Sequence, residues 1–332
     1  MVRALAVGVL AAGLASGSWA SYAQSVTMRG EDPPQLVIVE PFEHSDIPLE
    51  LMFVPTPDDV YTVIGVRRPK GAGPFPAVLF ASGGGSGGLD KVRADARSRA
   101  YIMERFLGAG YVVATLQYRN EVAKAYNKLT GPQGNIAEPY GGLSRLHRTR
   151  PALDHDDYIA IVEYVKRLPF VDGDRVGLVG SSHGGELILK AASEIEFAAA
   201  VANEPATIEF LSIDVSDFEQ DADQPIPTAE DARRLANKAE AMERIRRIRS
   251  PIRIQGRAKD HFLGLYRLTY EWLHEAGKDV EWKVVDHPVH SYIYKIPRRD
   301  DGTFEPDPIQ RAAIDDMLAY FNAKMRATVT SR

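Results

Sequence analysis

The sequence predicts an α/β protein: a mostly parallel sheet with helices on both faces. Two observations lead there. From Ala77 onward, short apolar runs alternate with longer amphipathic stretches, and such alternation builds parallel strands joined by crossover helices. The short runs are apolar at every position rather than every second one, as in strands covered on both faces. With 332 residues the chain is long enough for one large core.

Residues 1–23 read as a secretory signal. Arg3 supplies a positive start, and Ala4–Leu14 is an apolar run too short to span a bilayer. Ser21-Tyr22-Ala23 offers a small-x-small cleavage site, with Ser18-Trp19-Ala20 as a second option. The expected address is periplasmic or secreted, cut near Ala23, with no stable membrane insertion. Residues 24–60 form a lead-in, flexible and polar as far as Pro33-Pro34. The β-rich segments Leu36–Phe42, Leu49–Val54 and Tyr61–Arg68 follow, separated by Pro and Asp as antiparallel strands are.

The main domain is expected over 61–204 and 251–328. Ala77–Ala81 and Tyr111–Leu116 read as buried strands, with an amphipathic helix over Asp95–Leu107 between them. A helix over Asp154–Leu168, capped by Asp154, leads to a strand at Arg175–Val179 and a helix at Gly184–Ala192. Strands at Phe197–Ala202, Ile252–Gln255 and Val280–Val285 follow, with helices at Leu265–Ala276 and Ile309–Met325. Residues 119–150 are a long connection of no clear pattern. Residues 205–250 interrupt the alternation as an insertion. It contains an acidic stretch and then a helix that Thr228 can cap, with Leu235, Ala239, Met242 and Ile245 in one stripe and arginines at its end. An insertion of that length at the C-terminal edge of the sheet is expected to act as a cap over the site.

A net charge of −5 gives no basic footprint, which argues against nucleic acid as a partner. The chain has no cysteine, which excludes thiol nucleophiles, thiolate metal sites and disulfides. The composition carries no signal of oligomeric state.

The chemistry is concentrated in Gly180-Ser181-Ser182-His183-Gly184. A G-x-S-x-G triplet alone is a weak signal. Here it lies between an apolar strand and an apolar helix, the setting of a nucleophile held on a tight strand-to-helix turn. Ser182 is the candidate nucleophile, and Ser181 is given no part. A serine hydroxyl needs a base, and the loops after later strands supply candidates. Val280–Val285 leads to His287-Pro288-Val289-His290, where His290, further out, is the favoured base and His287 a packed loop histidine. Ile252–Gln255 leads to Asp260, the favoured acid; Glu204 is the rival acid or a residue lining the substrate pocket. A metal pair of His287 and His290 lacks a third ligand at suitable spacing.

An oxyanion needs backbone donors. One is expected from the N–H of His183, the other from Gly84 and Gly85 in the run Ser82–Gly88. Gly83, Gly85 and Gly88 also fit G-x-G-x-x-G, but a dinucleotide site needs an acid after the next strand. That strand ends Leu116-Gln117-Tyr118-Arg119, without one.

With these residues the chain resembles the α/β-hydrolase superfamily, most closely its dienelactone-hydrolase and prolyl-oligopeptidase-like branch. The resemblance spans about 60–325. It is carried by Ser82–Gly85, Leu116–Arg119, Asp156-Asp157, Gly180–Gly184, Asp260 and His290. Many members have His where this chain has Ser82. The resemblance implies the α/β-hydrolase fold with an eight-stranded sheet, a Ser182–Asp260–His290 triad and no cofactor. Tyr118 is expected to touch substrate. The expected function is hydrolysis of a small carboxylic ester or lactone. Alternatives are a peptidase or acylaminoacyl-peptidase-like hydrolase, or a non-catalytic binding protein. The peptidase reading is the weaker, because its relatives usually carry a large upstream propeller domain.

Overall fold

The computed structural model describes residues 22–26, 35–57, 61–81, 83, 88–118, 143–213 and 225–330. Its strands are β1 (Tyr22–Val26), β2 (Gln35–Phe42), β3 (Ser45–Pro55), β4 (Tyr61–Arg67), β5 (Phe75–Ala81), β6 (Val112–Leu116), β7 (Val171–Ser181), β8 (Ala199–Asn203), β9 (Ile252–Arg257) and β10 (Val280–Val285). They form a 10-stranded sheet in the order β1-β2-β3-β4-β6-β5-β7-β8-β9-β10. The count exceeds eight because β1 and β2 extend the antiparallel edge. The strand Tyr22–Val26, which pairs with β2, therefore takes in the last two residues of the segment read as a signal and the first three of the lead-in read as flexible.

Strands β6, β5, β7, β8, β9 and β10 run parallel. The chain passes from β5 outward to β6 and returns to β7 on the other side of β5. The connections leaving β5 and β7 thus diverge, which opens a crevice at their C-terminal ends, the place where ligands of open α/β sheets bind.

The apolar runs are explained by where alternate side chains go. In β5, Ala77, Leu79 and Ala81 join the core on one face, with the helices Leu143–Arg167, His183–Ala192 and Leu263–Glu275. Val78 and Phe80 join the core on the other face, with the helices Ala100–Gly108 and Pro308–Thr330.

Two helices differ from the sequence reading, in each case because of a buried charge. The helix expected over Asp95–Leu107 is two, Gly88–Ser98 and Ala100–Gly108. Arg99 at the break is buried and donates to the Phe80 carbonyl and to Asp95. The helix expected to start at Asp154 runs over Leu143–Arg167. Asp154 is internal and buried, and its carboxylate meets a side chain across the interface instead of capping the helix.

The insertion is also placed differently. Thr228 caps the helix Ala229–Leu235, accepting from the Asp231 N–H at 3.1 Å. A second helix, Lys238–Arg247, follows after a break, so the expected single stripe is not formed and Ala239 is exposed. Ala232, Ala241 and Ile245 pack into the core shared with the helix Leu263–Glu275. Arg244 donates to the Phe210 carbonyl and the Ser212 hydroxyl. The described helices of the insertion thus pack on the helix Leu263–Glu275, and the Ile226 backbone bonds to His261 and Gly264, next to Asp260. The acidic residues Asp214–Asp223 lie outside the described residues.

Phe321 on the last helix is fully buried and meets Phe106 edge-on at 5.8 Å. Phe321→Ala is expected to cost about 3–5 kcal/mol in denaturant unfolding. A loss below about 1 kcal/mol would show that this layer is not part of the cooperative core.

Candidate active site

β7 ends at Ser181 and the helix His183–Ala192 begins two residues later. Ser182 alone makes the turn, with φ 57° and ψ −121°. That conformation costs a non-glycine residue about 1–3 kcal/mol, so its neighbours must hold it. The Ser182 N–H donates to the Asn203 carbonyl at 3.0 Å, and its carbonyl accepts from Gly185 at 3.0 Å and Ala206 at 3.1 Å. The turn is tight enough that a Cβ on Gly180 would lie 2.3 Å from the Gly184 carbonyl oxygen. Gly83, just after β5, stands against Ser182: a Cβ there would meet the Ser182 Cβ at 3.4 Å. Gly84 and Gly85 lie outside the described residues. His183 opens the helix, and the N–H of a first helical residue has no acceptor within the helix.

Ser182 and His290 line one cavity of about 710 Å³. His290 Nδ1 is 2.8 Å from Asp260 Oδ2. The carboxylate accepts a hydrogen bond from Nδ1–H, which leaves Nε2 as the basic nitrogen. Asp260 is buried, and burial raises a carboxyl. The His290 hydrogen bond, the Phe262 N–H at 2.9 Å and Arg257 outweigh burial and bring it down to about 2. His287 is buried and bonded to Asp307 at 2.8 Å, which takes it out of the chemistry.

Glu204 does not line the pocket. It is fully buried, with φ 45°, at the end of β8. Its carboxylate takes Arg257, the Asn203 amide at 3.0 Å and the Ser291 N–H at 2.5 Å. It stands 3.8 Å from His290 Nδ1, a full ångström further than Asp260. Burial, and Asp260 beside it, push its carboxyl above the usual range. Tyr118 is also buried, with its ring 6.1 Å from His183 and 6.3 Å from Tyr158. It backs His183 rather than facing solvent.

The sequence reading missed a polar layer beneath these residues. Ser181 is buried and donates to the Ser291 hydroxyl at 2.8 Å while accepting from Asn203 at 3.1 Å. Gln255 donates to Asn203 at 3.1 Å. Ser291, next to His290, has φ 60°. The layer ties the ends of β7, β8 and β9 to the histidine loop.

A second Asp–His pair sits beside Ser182. His183 Nε2 is 2.7 Å from Asp154, and Glu186 lies 3.7 Å from its Nδ1. Burial lowers the imidazole, but Asp154 and then Glu186 outweigh it and raise it to about 9. The side chain is therefore an imidazolium at neutral pH.

Asp260, His261 and His290 bring possible ligand atoms within 4.8 Å of one another. Asp260 already serves His290, Arg257 and the Phe262 N–H, and the adjacent guanidinium opposes a divalent cation. The set fits a hydrogen-bonded acid–base pair better than a metal centre. Among the described residues, no helix is long and apolar enough to cross a membrane.

Residues 145–263 match the prolyl oligopeptidase family. The structure is similar to an esterase from Pyrobaculum calidifontis, at 16% identity and TM-score 0.52, over 85% of this chain and 86% of that one. It is similar to a thermostable esterase from Pseudomonas putida at 15% identity and TM-score 0.56, over 86% and 85%. An acylaminoacyl peptidase from Pyrococcus horikoshii matches at 16% identity and TM-score 0.55, over 92% of this chain but 48% of that one. The chain has the α/β-hydrolase fold.

The His183 pair yields a pH dependence. Its folded value of about 9 exceeds the ordinary 6.5, so its stabilisation is whole below about pH 6.5 and is lost as pH rises through about 9. The stability of the wild type relative to His183→Gln, read from urea midpoints, is expected to fall between about pH 6.5 and about pH 10. Parallel pH profiles would contradict the pairing.

Proposed function

We propose that this protein is a serine hydrolase that cleaves a carboxylic ester or lactone through an acyl-enzyme. One observation carries the reading: a serine strained onto a strand-to-helix turn shares a cavity with a histidine whose far nitrogen is engaged by a buried carboxylate.

His290 Nε2 takes the Ser182 hydroxyl proton as Oγ bonds to the ester carbonyl carbon. The carbonyl oxygen becomes an oxyanion, received by the His183 N–H. The intermediate collapses, the C–O bond to the alcohol breaks, and His290 returns the proton to the leaving oxygen. Water then repeats the sequence, releasing the acid and restoring Ser182. Asp260 holds the imidazole in the productive tautomer and offsets its charge. No step calls on a cofactor.

A second reading, cleavage of a peptide or acylaminoacyl amide, is supported by the prolyl oligopeptidase match. Ester cleavage ranks first because the esterases are matched over nearly their whole length and the peptidase over about half. A panel of aryl esters, lactones and peptide amides separates the two.

We propose further that residues 1–23 direct export. Cleavage after Ala23 would take Tyr22 and Ala23 from β1, whereas cleavage after Ala20 leaves β1 whole. Mass spectrometry of the mature N-terminus decides, and an intact Met1 would refute export.

Ser182→Ala is expected to lower kcat on an activated ester by about 10⁴-fold or more, and Asp260→Asn by about 10⁴-fold. Glu204→Gln should cost less than Asp260→Asn, since it makes no direct bond to His290. The reverse order would make Glu204 the acid.

A further inference from the structure

The cavity that holds Ser182 and His290 is also lined by Lys91, Arg97, Arg99, Lys295 and Arg298, with Asp95 its one carboxylate among the described residues. This is the opposite sign to the chain, whose net charge is −5. Cations crowded in a cleft repel one another, and each needs a partner or a reason to lack one.

Three of the five are committed to the structure. Asp95 takes Lys91 at 2.6 Å and Arg99 at 2.9 Å. Arg99 also donates to the Phe80 carbonyl and lies over the Tyr294 ring. Arg298 reaches to Glu43 at 2.6 Å. Arg97 and Lys295 are exposed, and neither makes a close ion pair among the described residues, although Arg97 also acts on Glu43 from the neighbouring groove. They approach from separate elements: Arg97 from the helix Gly88–Ser98, Lys295 from the chain that follows His290. A guanidinium and an ammonium facing one cleft suit an oxyanion such as a carboxylate, the guanidinium by its two-pronged donor geometry. Low-dielectric walls concentrate the field of such a cluster on whatever enters.

We infer that the substrate is anionic: an ester whose acyl or alcohol part carries a carboxylate, held by Arg97 and Lys295 while Ser182 attacks the neutral ester carbonyl. This rests on the ester-cleaving reading above and names its substrate class.

Two matched pairs of esters test it. One pair places the charge on the acyl side, the 4-nitrophenyl monoester of adipate against 4-nitrophenyl heptanoate. The other places it on the alcohol side, 4-acetoxybenzoate against 4-acetoxybenzamide. The readout is the ratio of kcat/KM within each pair, which does not depend on the fraction of folded enzyme. In at least one pair the anionic member is expected to be favoured about tenfold at low salt. That ratio should shrink at about 0.5 M salt and fall towards one in the double variant Arg97→Gln, Lys295→Gln. The pair that responds identifies the side of the ester carrying the charge. Ratios near one in both pairs, or a preference that survives the double variant, overturn the inference and leave the ester reading standing. Failure to cleave any of the four esters overturns the ester reading and the inference with it.

Discussion

Burying a guanidinium between two carboxylates is unfavourable unless each of its nitrogens finds an acceptor. Arg257 meets that condition. Its Nε donates to Glu204 and one terminal nitrogen to Asp260, while the other reaches the carbonyls of His287 at 3.3 Å and Pro288 at 2.9 Å. One side chain on β9 thereby joins the end of β8, the acid after β9 and the histidine loop after β10. Asp260 and Glu204 can both stay buried near His290 because the cation lies between them. Glu204 in turn holds the N–H of Ser291, the residue after His290. The position of His290 is set from both sides by the same ion network.

The rest of the site can carry strain because this network and the sheet over-determine it. Ser182, Glu204 and Ser291 all have positive φ and are linked by one polar layer. Beneath it, β5, β7 and β8 are buried along their centres and cannot give way. Strain of this kind is repaid as pre-organisation: the serine already stands half-buried at the crevice and the imidazole is already turned.

The strands were legible in the sequence because an apolar run reports two covered faces without knowledge of what covers them. Ser182 was legible because its turn needs glycines at fixed local offsets, and Asp260 and His290 because strand ends deliver loops to one edge. The pairs that mattered next were not legible. Asp154 and His183, or Glu204 and Arg257, are far apart in the chain, and nothing local marks their meeting. Asp154 has the composition of a helix cap and lies inside a helix, where a histidine across the interface donates to it and offsets its charge. Tyr118 and Glu204 read as pocket residues from their place after strands, yet both point into the protein. The insertion's described helices bury their apolar sides against the flanking helix Leu263–Glu275, a meeting that no local pattern marks.

The central claim is that Ser182, and not its neighbour, is the activated hydroxyl. Reaction with a fluorophosphonate followed by peptide mapping tests it most directly, since only a serine with a working base and oxyanion site is phosphonylated quickly. The account predicts one adduct, on Ser182, formed at a rate that collapses in the Asp260→Asn protein. An adduct on Ser181 or elsewhere, or no adduct in folded protein, would contradict it.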